Sequence, residues 1–254
     1  MDRYAKRYEL KDKAKDFLDG NYTPLIGGIL LFFVILIMVT AMTSIIEAMV
    51  QVSGSAQALY ITQLLTGALA QICMNFMTFG FAFVCLKIAC RQHVFFADLF
   101  YGFHPDVFRK ALLIALCKYI ANKVCFLGSD LLSRNFHWAP GDSLDLLQLL
   151  YILLARLIGF IIYIPIALTL DLSNYLVLDF PEKQSGMEII KDSFRVIKGH
   201  RKRFLYLQLS FIPLDLLAYL TFGIGYLWLM PYEQMTFALF YLDLMHPAKK
   251  EDTF

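Results

Sequence analysis

Two stretches, Leu25 to Ile46 and Ala56 to Leu86, carry no charged side chain. A bilayer crossing takes about 20 predominantly apolar residues as helix. These runs therefore predict transmembrane helices over about Pro24–Val50 and Ala56–Cys90. Thr23-Pro24 supplies an N-cap and a proline for the first turn of the first helix. Further apolar segments predict a third span over Asp106–Leu132, a fourth from about Ser143 to Asp179, a fifth over Phe204–Thr221 and a sixth over Tyr226–Met245. Gly223 and Gly225 provide a tight turn between the last two. The loop Ser133–Asp142, with Trp138 and Pro140-Gly141, fits the headgroup zone between spans three and four.

Amphipathic segments punctuate these runs. In Asp2–Asp19, Tyr4, Tyr8, Phe17 and Leu18 alternate with Arg3, Lys6, Arg7, Lys11, Lys13 and Lys15. A basic helix with aromatics beside a span is expected to lie in the membrane interface. His93–Pro105 reads as a short aromatic interfacial helix. Ser185–Lys198 is a second amphipathic helix: Ser185 and Glu188 fit a capping box, and Met187, Ile190, Phe194 and Ile197 share one face. The fold class expected is all-α: a polytopic membrane protein with six transmembrane helices plus cytoplasmic interfacial helices. It forms one membrane domain over 1–254, comprising an interfacial helix (1–22), spans one to four (24–180), a second interfacial helix (183–199) and spans five and six (203–246). Gly20, Gly102 and Gly199 each end a short segment before a helical pair, which suggests three repeated units.

Composition agrees: 59% of residues are hydrophobic and 17% charged, against about half and a quarter in soluble domains. The first twenty residues carry charges of both signs, unlike a signal peptide. With six spans, nineteen of the 23 lysines and arginines fall on one side. The positive-inside rule then puts both termini in the cytoplasm of a bacterial cytoplasmic membrane. Arg201, Lys202 and Arg203 are positioned to contact anionic headgroups on that side. The expected partners are that bilayer and a membrane-protein partner or second copy, with no nucleic acid.

Polar residues inside the spans are the candidate chemistry. A central Asp, Lys or Arg costs about 2.5–3.5 kcal/mol to insert, so Lys118, Arg156, Asp215 and Glu233 are expected to pair across a polar interior. Asn75, Gln71 and Gln208 would line it. Pro165, Pro213 and Pro231 lie inside spans and predict kinks, Pro231 right beside Glu233. Buried ion pairs that only fix helix register would leave the same pattern. The cysteines have no zinc or disulfide spacing, the histidines are scattered, and neither a phosphate loop nor a nucleophile elbow occurs. No catalytic residue, metal or cofactor is expected.

The segment from Gly199 to Tyr241 carries Ser210-Phe211, Gly223-Ile224-Gly225, Pro231-Tyr232 and Phe240-Tyr241, preceded by Ser193. With Gly20-Asn21-Tyr22 near the start, these elements resemble a family of uncharacterised bacterial integral membrane proteins common in Firmicutes. The chain departs from it at Pro165-Ile166, where the family usually has proline-glycine. The resemblance implies a multi-helix membrane protein and supplies no reaction or ligand. The favoured expectation is a small transporter or an export or resistance accessory component. The alternatives are a scaffold or regulatory subunit of a membrane complex, and a lipid-headgroup-binding or lipid-modifying protein.

Overall fold

The computed structural model describes residues 4–52, 54–134, 146–179 and 185–245. Among these the chain is all-helical, with helices α1 (Arg7–Leu18), α2 (Tyr22–Val52), α3 (Ala56–Ala89), α4 (Pro105–Arg134), α5 (Leu146–Asp179), α6 (Gly186–Val196), α7 (Arg201–Leu209), α8 (Ile212–Leu220) and α9 (Tyr226–Met245). A 3-10 helix, Phe96–Phe103, sits between α3 and α4. The Ser185–Glu188 capping box starts α6 as expected. Most of the 133–142 loop and the tail with Lys249 and Lys250 fall outside the described residues.

Among the described residues, five segments are long and apolar enough to cross a membrane: Tyr22–Val52, Gln57–Ala89, Pro105–Ser133, Leu149–Asp179 and Arg201–Leu220. The sixth expected span, Tyr226–Met245, is a helix but not one of these five. Glu233, Gln234 and Asp243 dilute its apolar content, yet Met235, Thr236, Ala238, Phe240 and Tyr241 are fully buried. An interior helix faces protein instead of lipid and needs no uniformly apolar surface. α9 is that interior helix, packed by α1, α2, α3 and α8.

Burial divides the long helices lengthwise. The start of α2 (Leu25, Ile29, Phe32), the end of α3 (Phe76 to Ile88), the start of α4 (Val107 to Ala115) and the end of α5 (Leu168 to Val177) form one core with α6, α7 and α9. The opposite halves, such as Ile37, Met49, Leu65, Val124, Leu131, Leu154 and Ile161, leave large apolar side chains exposed. Apolar surface on that scale is stable against lipid and not against water. Two close backbone approaches fix the arrangement. A Cβ on Gly80 would lie 1.8 Å from the Leu99 carbonyl oxygen, and one on Gly159 would lie 2.6 Å from that of Cys125. The first docks the 3-10 helix on α3; the second closes the α4–α5 hairpin, the most extensive helix pair in the molecule.

The fifth span is broken: α7 ends at Leu209, α8 begins at Ile212, and Pro213 stands in the first turn of α8 and not inside a continuous helix. Pro165 and Pro231 do lie inside α5 and α9. The N-terminal helix buries one face, Leu10, Ala14 and Leu18, against protein. It lies between α7–α8 and α9, with Arg7 against Tyr206, Lys11 against Ser210 and Ala5 against Asp243.

The element order does place a short helix before each helical pair, but the three units are not equivalent. Gly20 and Gly199 have positive φ (77° and 94°), and Gly102 does not. Gly102 instead makes room for Phe76, whose ring carbon would lie 3.1 Å from a Cβ.

Candidate functional site: two polar clusters among the helices

The first cluster joins α3, α4 and α5. Lys118 Nζ lies 2.8 Å from Asp171 Oδ1 and donates to Asn75 Oδ1 at 2.9 Å. Asn75 Nδ2 donates to the Ala111 carbonyl at 3.1 Å, and Asn174 Nδ2 reaches Asn75 Oδ1 at 3.4 Å. One helical turn separates Asp171 from Asn174 on α5, and another face carries the buried Thr169 and Ser173. Thr169 Oγ1 donates to the Pro165 carbonyl at 2.7 Å, while Ser173 Oγ bonds Ser193 Oγ of α6 at 2.8 Å. A buried ammonium is tolerated only when paired and hydrogen-bonded, and these groups supply both. Asn174 Oδ1 remains buried without a hydrogen-bond partner among the described residues.

The second cluster lies where α1, α8 and α9 meet. Asp215 of α8 and Glu233 of α9 approach each other at hydrogen-bonding range. Two carboxyls in contact repel unless they hold a proton between them. The break in the fifth span sits just before them. Leu214 N donates to the Phe211 carbonyl, not to that of Ser210, and proline has no amide hydrogen for the Leu209 carbonyl. The freed Ser210 carbonyl accepts from Lys11 Nζ at 3.0 Å, and that ammonium stands 3.8 Å above the Phe211 ring. Burial pushes Lys11 below the usual lysine range, against the attraction of Glu233.

The four charges expected to meet do so only in part. Lys118 pairs with Asp171, and Asp215 pairs with Glu233. Arg156 is exposed on α5 and joins neither cluster. Asn75 belongs to the first cluster, whereas Gln71 and Gln208 are half-buried and belong to neither. Arg201 and Lys202 are exposed, but Arg203 turns inward: it pairs with Asp243, donates to the Ala5 carbonyl and covers the Tyr4 and Phe240 rings at 5.0 and 5.1 Å. Sequence reasoning missed Lys11, Asp171, Asp243 and the 2.7 Å bond from Thr66 to Glu47 that ties α2 to α3. Asn174, one turn along the same face, was the available signal for Asp171. Nothing local marks Lys11, which looks like any charge on an amphipathic helix.

Among the described residues, five long apolar segments with polar clusters between the helices define a membrane-type helical protein. The chain belongs to the family "Protein of unknown function (DUF975)", which matches residues 1–248. No curated protein and no solved structure matches it.

Proposed function

We propose that this protein is a small bacterial transporter, or the membrane component accessory to an export or resistance system, working through the broken helix α7–α8 and its acid pair. The observation that carries this reading is the meeting of Asp215, Glu233 and Lys11 at the interruption of an apolar segment. Interrupted helices free backbone carbonyls, and transporters use such breaks beside ionisable groups to hold ions or substrates. Two carboxyls that share a proton can exchange it for a cation, and Lys11 supplies a movable counter-charge. The uneven placement of lysine and arginine supports both termini facing the cytoplasm.

Purified protein in liposomes tests this by proton- or cation-coupled flux. Glu233→Gln and Asp215→Asn should each reduce flux at least tenfold while the protein stays folded. Unchanged flux in both would overturn the reading. A second reading, a non-transporting scaffold or regulatory subunit of a membrane complex, is favoured by the Lys118–Asp171–Asn75 cluster, whose charges are closed on each other as in a register-fixing pair. It expects no flux at all, and co-purification with a membrane partner.

A further inference from the structure

A cavity of about 750 Å³ lies between α1 and α7 and is lined by Lys6, Arg7, Lys11 and Arg203 together with Tyr4 and Tyr206. Among the described residues, no carboxylate lines it. The neighbouring acids are already engaged: Asp243 pairs with Arg203, and Glu9 Oε2 accepts from the Lys6 backbone amide at 2.9 Å. The hydrogen-bond and ring partners of Arg7 and Lys11 are neutral, the carbonyls of Tyr206 and Ser210 at 3.4 and 3.0 Å and the rings of Tyr206 and Phe211, while Glu233 attracts Lys11 from outside the cavity lining. Each keeps donors to spare, because a guanidinium has five N–H groups and an ammonium three. Arg203 Nη1 is buried and has no hydrogen-bond partner among the described residues.

We infer that this cavity binds a phosphate group, and that its source is the headgroup of an anionic lipid. Four cations from two helices converge on a space within the range of about 300–1,000 Å³ typical of small-molecule sites. Guanidinium and ammonium groups at such a site bind phosphate through charge-assisted hydrogen bonds. The lipid source follows from position. The cavity opens beside the first residues of the apolar segment Arg201–Leu220, and its exposed aromatics, Tyr8 and Tyr206, are of the type that seats at the headgroup level. A bound phosphate would also sit next to Lys11, the cation that faces Glu233, so occupancy and the state of the acid pair would be linked. The binding itself does not depend on the protein transporting anything.

The test is lipid binding to the purified full-length protein, followed by native mass spectrometry and by thermal stabilisation in detergent. Phosphatidylglycerol should be retained and should stabilise the protein, and phosphatidylcholine should do neither. Arg7→Gln with Lys11→Gln should weaken phosphatidylglycerol binding about ten- to thirtyfold, at about 1 kcal/mol per basic side chain near an anionic surface. Lys191→Gln with Lys198→Gln, exposed and outside the cavity, should leave it unchanged. Equal retention of the two lipids by the native chain would overturn the inference even if the cavity variant failed to fold. Equal binding by the cavity variant would also overturn it. Binding of sn-glycerol 3-phosphate as tight as that of phosphatidylglycerol would assign the phosphate to a soluble ester and overturn the lipid source.

Discussion

Lys118 Nζ and Asp171 Oδ1 meet at 2.8 Å, with 7% of the lysine side chain exposed and 40% of the aspartate. The asymmetry decides which partner is costly to remove. Loss of Lys118 leaves a carboxylate that is only partly buried, whereas loss of Asp171 strands an almost fully buried ammonium.

Asp171→Leu should therefore destabilise the protein by about 3–5 kcal/mol, and more than Lys118→Met. The double variant should recover most of that loss, because both charges leave together. Thermal unfolding midpoints in detergent for the three variants measure this cycle. A double variant as unstable as Asp171→Leu alone would mean that the two residues do not form a pair.

Gly80→Ala should disrupt the docking of the 3-10 helix, since its Cβ would sit 1.8 Å from the Leu99 carbonyl oxygen. Backbone cannot move aside as a flexible side chain can, so the loss should be about 3 kcal/mol, at the upper end for overpacking. Gly128→Ala, with nothing within 4 Å of its Cβ, should be neutral or stabilise α4 by about 0.5–1 kcal/mol. The ordering of the two melting points checks the close contact.

Asp98 Oδ2 accepts from Lys87 Nζ at 2.7 Å and from the Phe95 amide at 2.8 Å. It both caps the 3-10 helix and ties it to α3. Asp98→Ala should lower stability by about 2 kcal/mol, in the range for hydrogen bonds to charged groups. Amide exchange should rise over the 3-10 helix and stay unchanged over α9. Uniform exchange across both would argue against a local role.

Burial, followed by the charge of Arg203, pushes His200 below its ordinary value of 6.5, with Asp243 opposing. The unfolded chain then takes up the proton first. The stability that neutral His200 contributes is present above about pH 6.5 and is lost as pH falls toward the folded value. The edge of the His200 ring packs on Tyr4 at 4.5 Å between centroids. Melting temperature should fall between pH 7.5 and pH 5.5, and fall less in His200→Gln. Parallel profiles would show that other groups carry the acid sensitivity.

Much of the helical plan was legible because hydrophobic continuity is a local property. The uncharged runs located α2 and α3 to within about two residues, and Ser185 with Glu188 marked the start of α6. The candidate site was less legible. Lys118 and Asn75 stood out as polar residues in apolar helices, but Arg156 looked the same and lies exposed, apart from both clusters. Asp215 and Glu233 stood out too, yet their contact joins two acids where pairing with cations was expected.

By itself, then, the sequence determined that the chain is helical and that long parts of it suit a hydrocarbon surround, since both follow from residue type and spacing within one segment. Only the tertiary structure decided which charges meet, that α1 lies along α7–α8 and α9, and that α9 is enclosed by protein. Those outcomes depend on which helix faces which, and a side chain's partner across a helix interface leaves no trace in the spacing of its own helix.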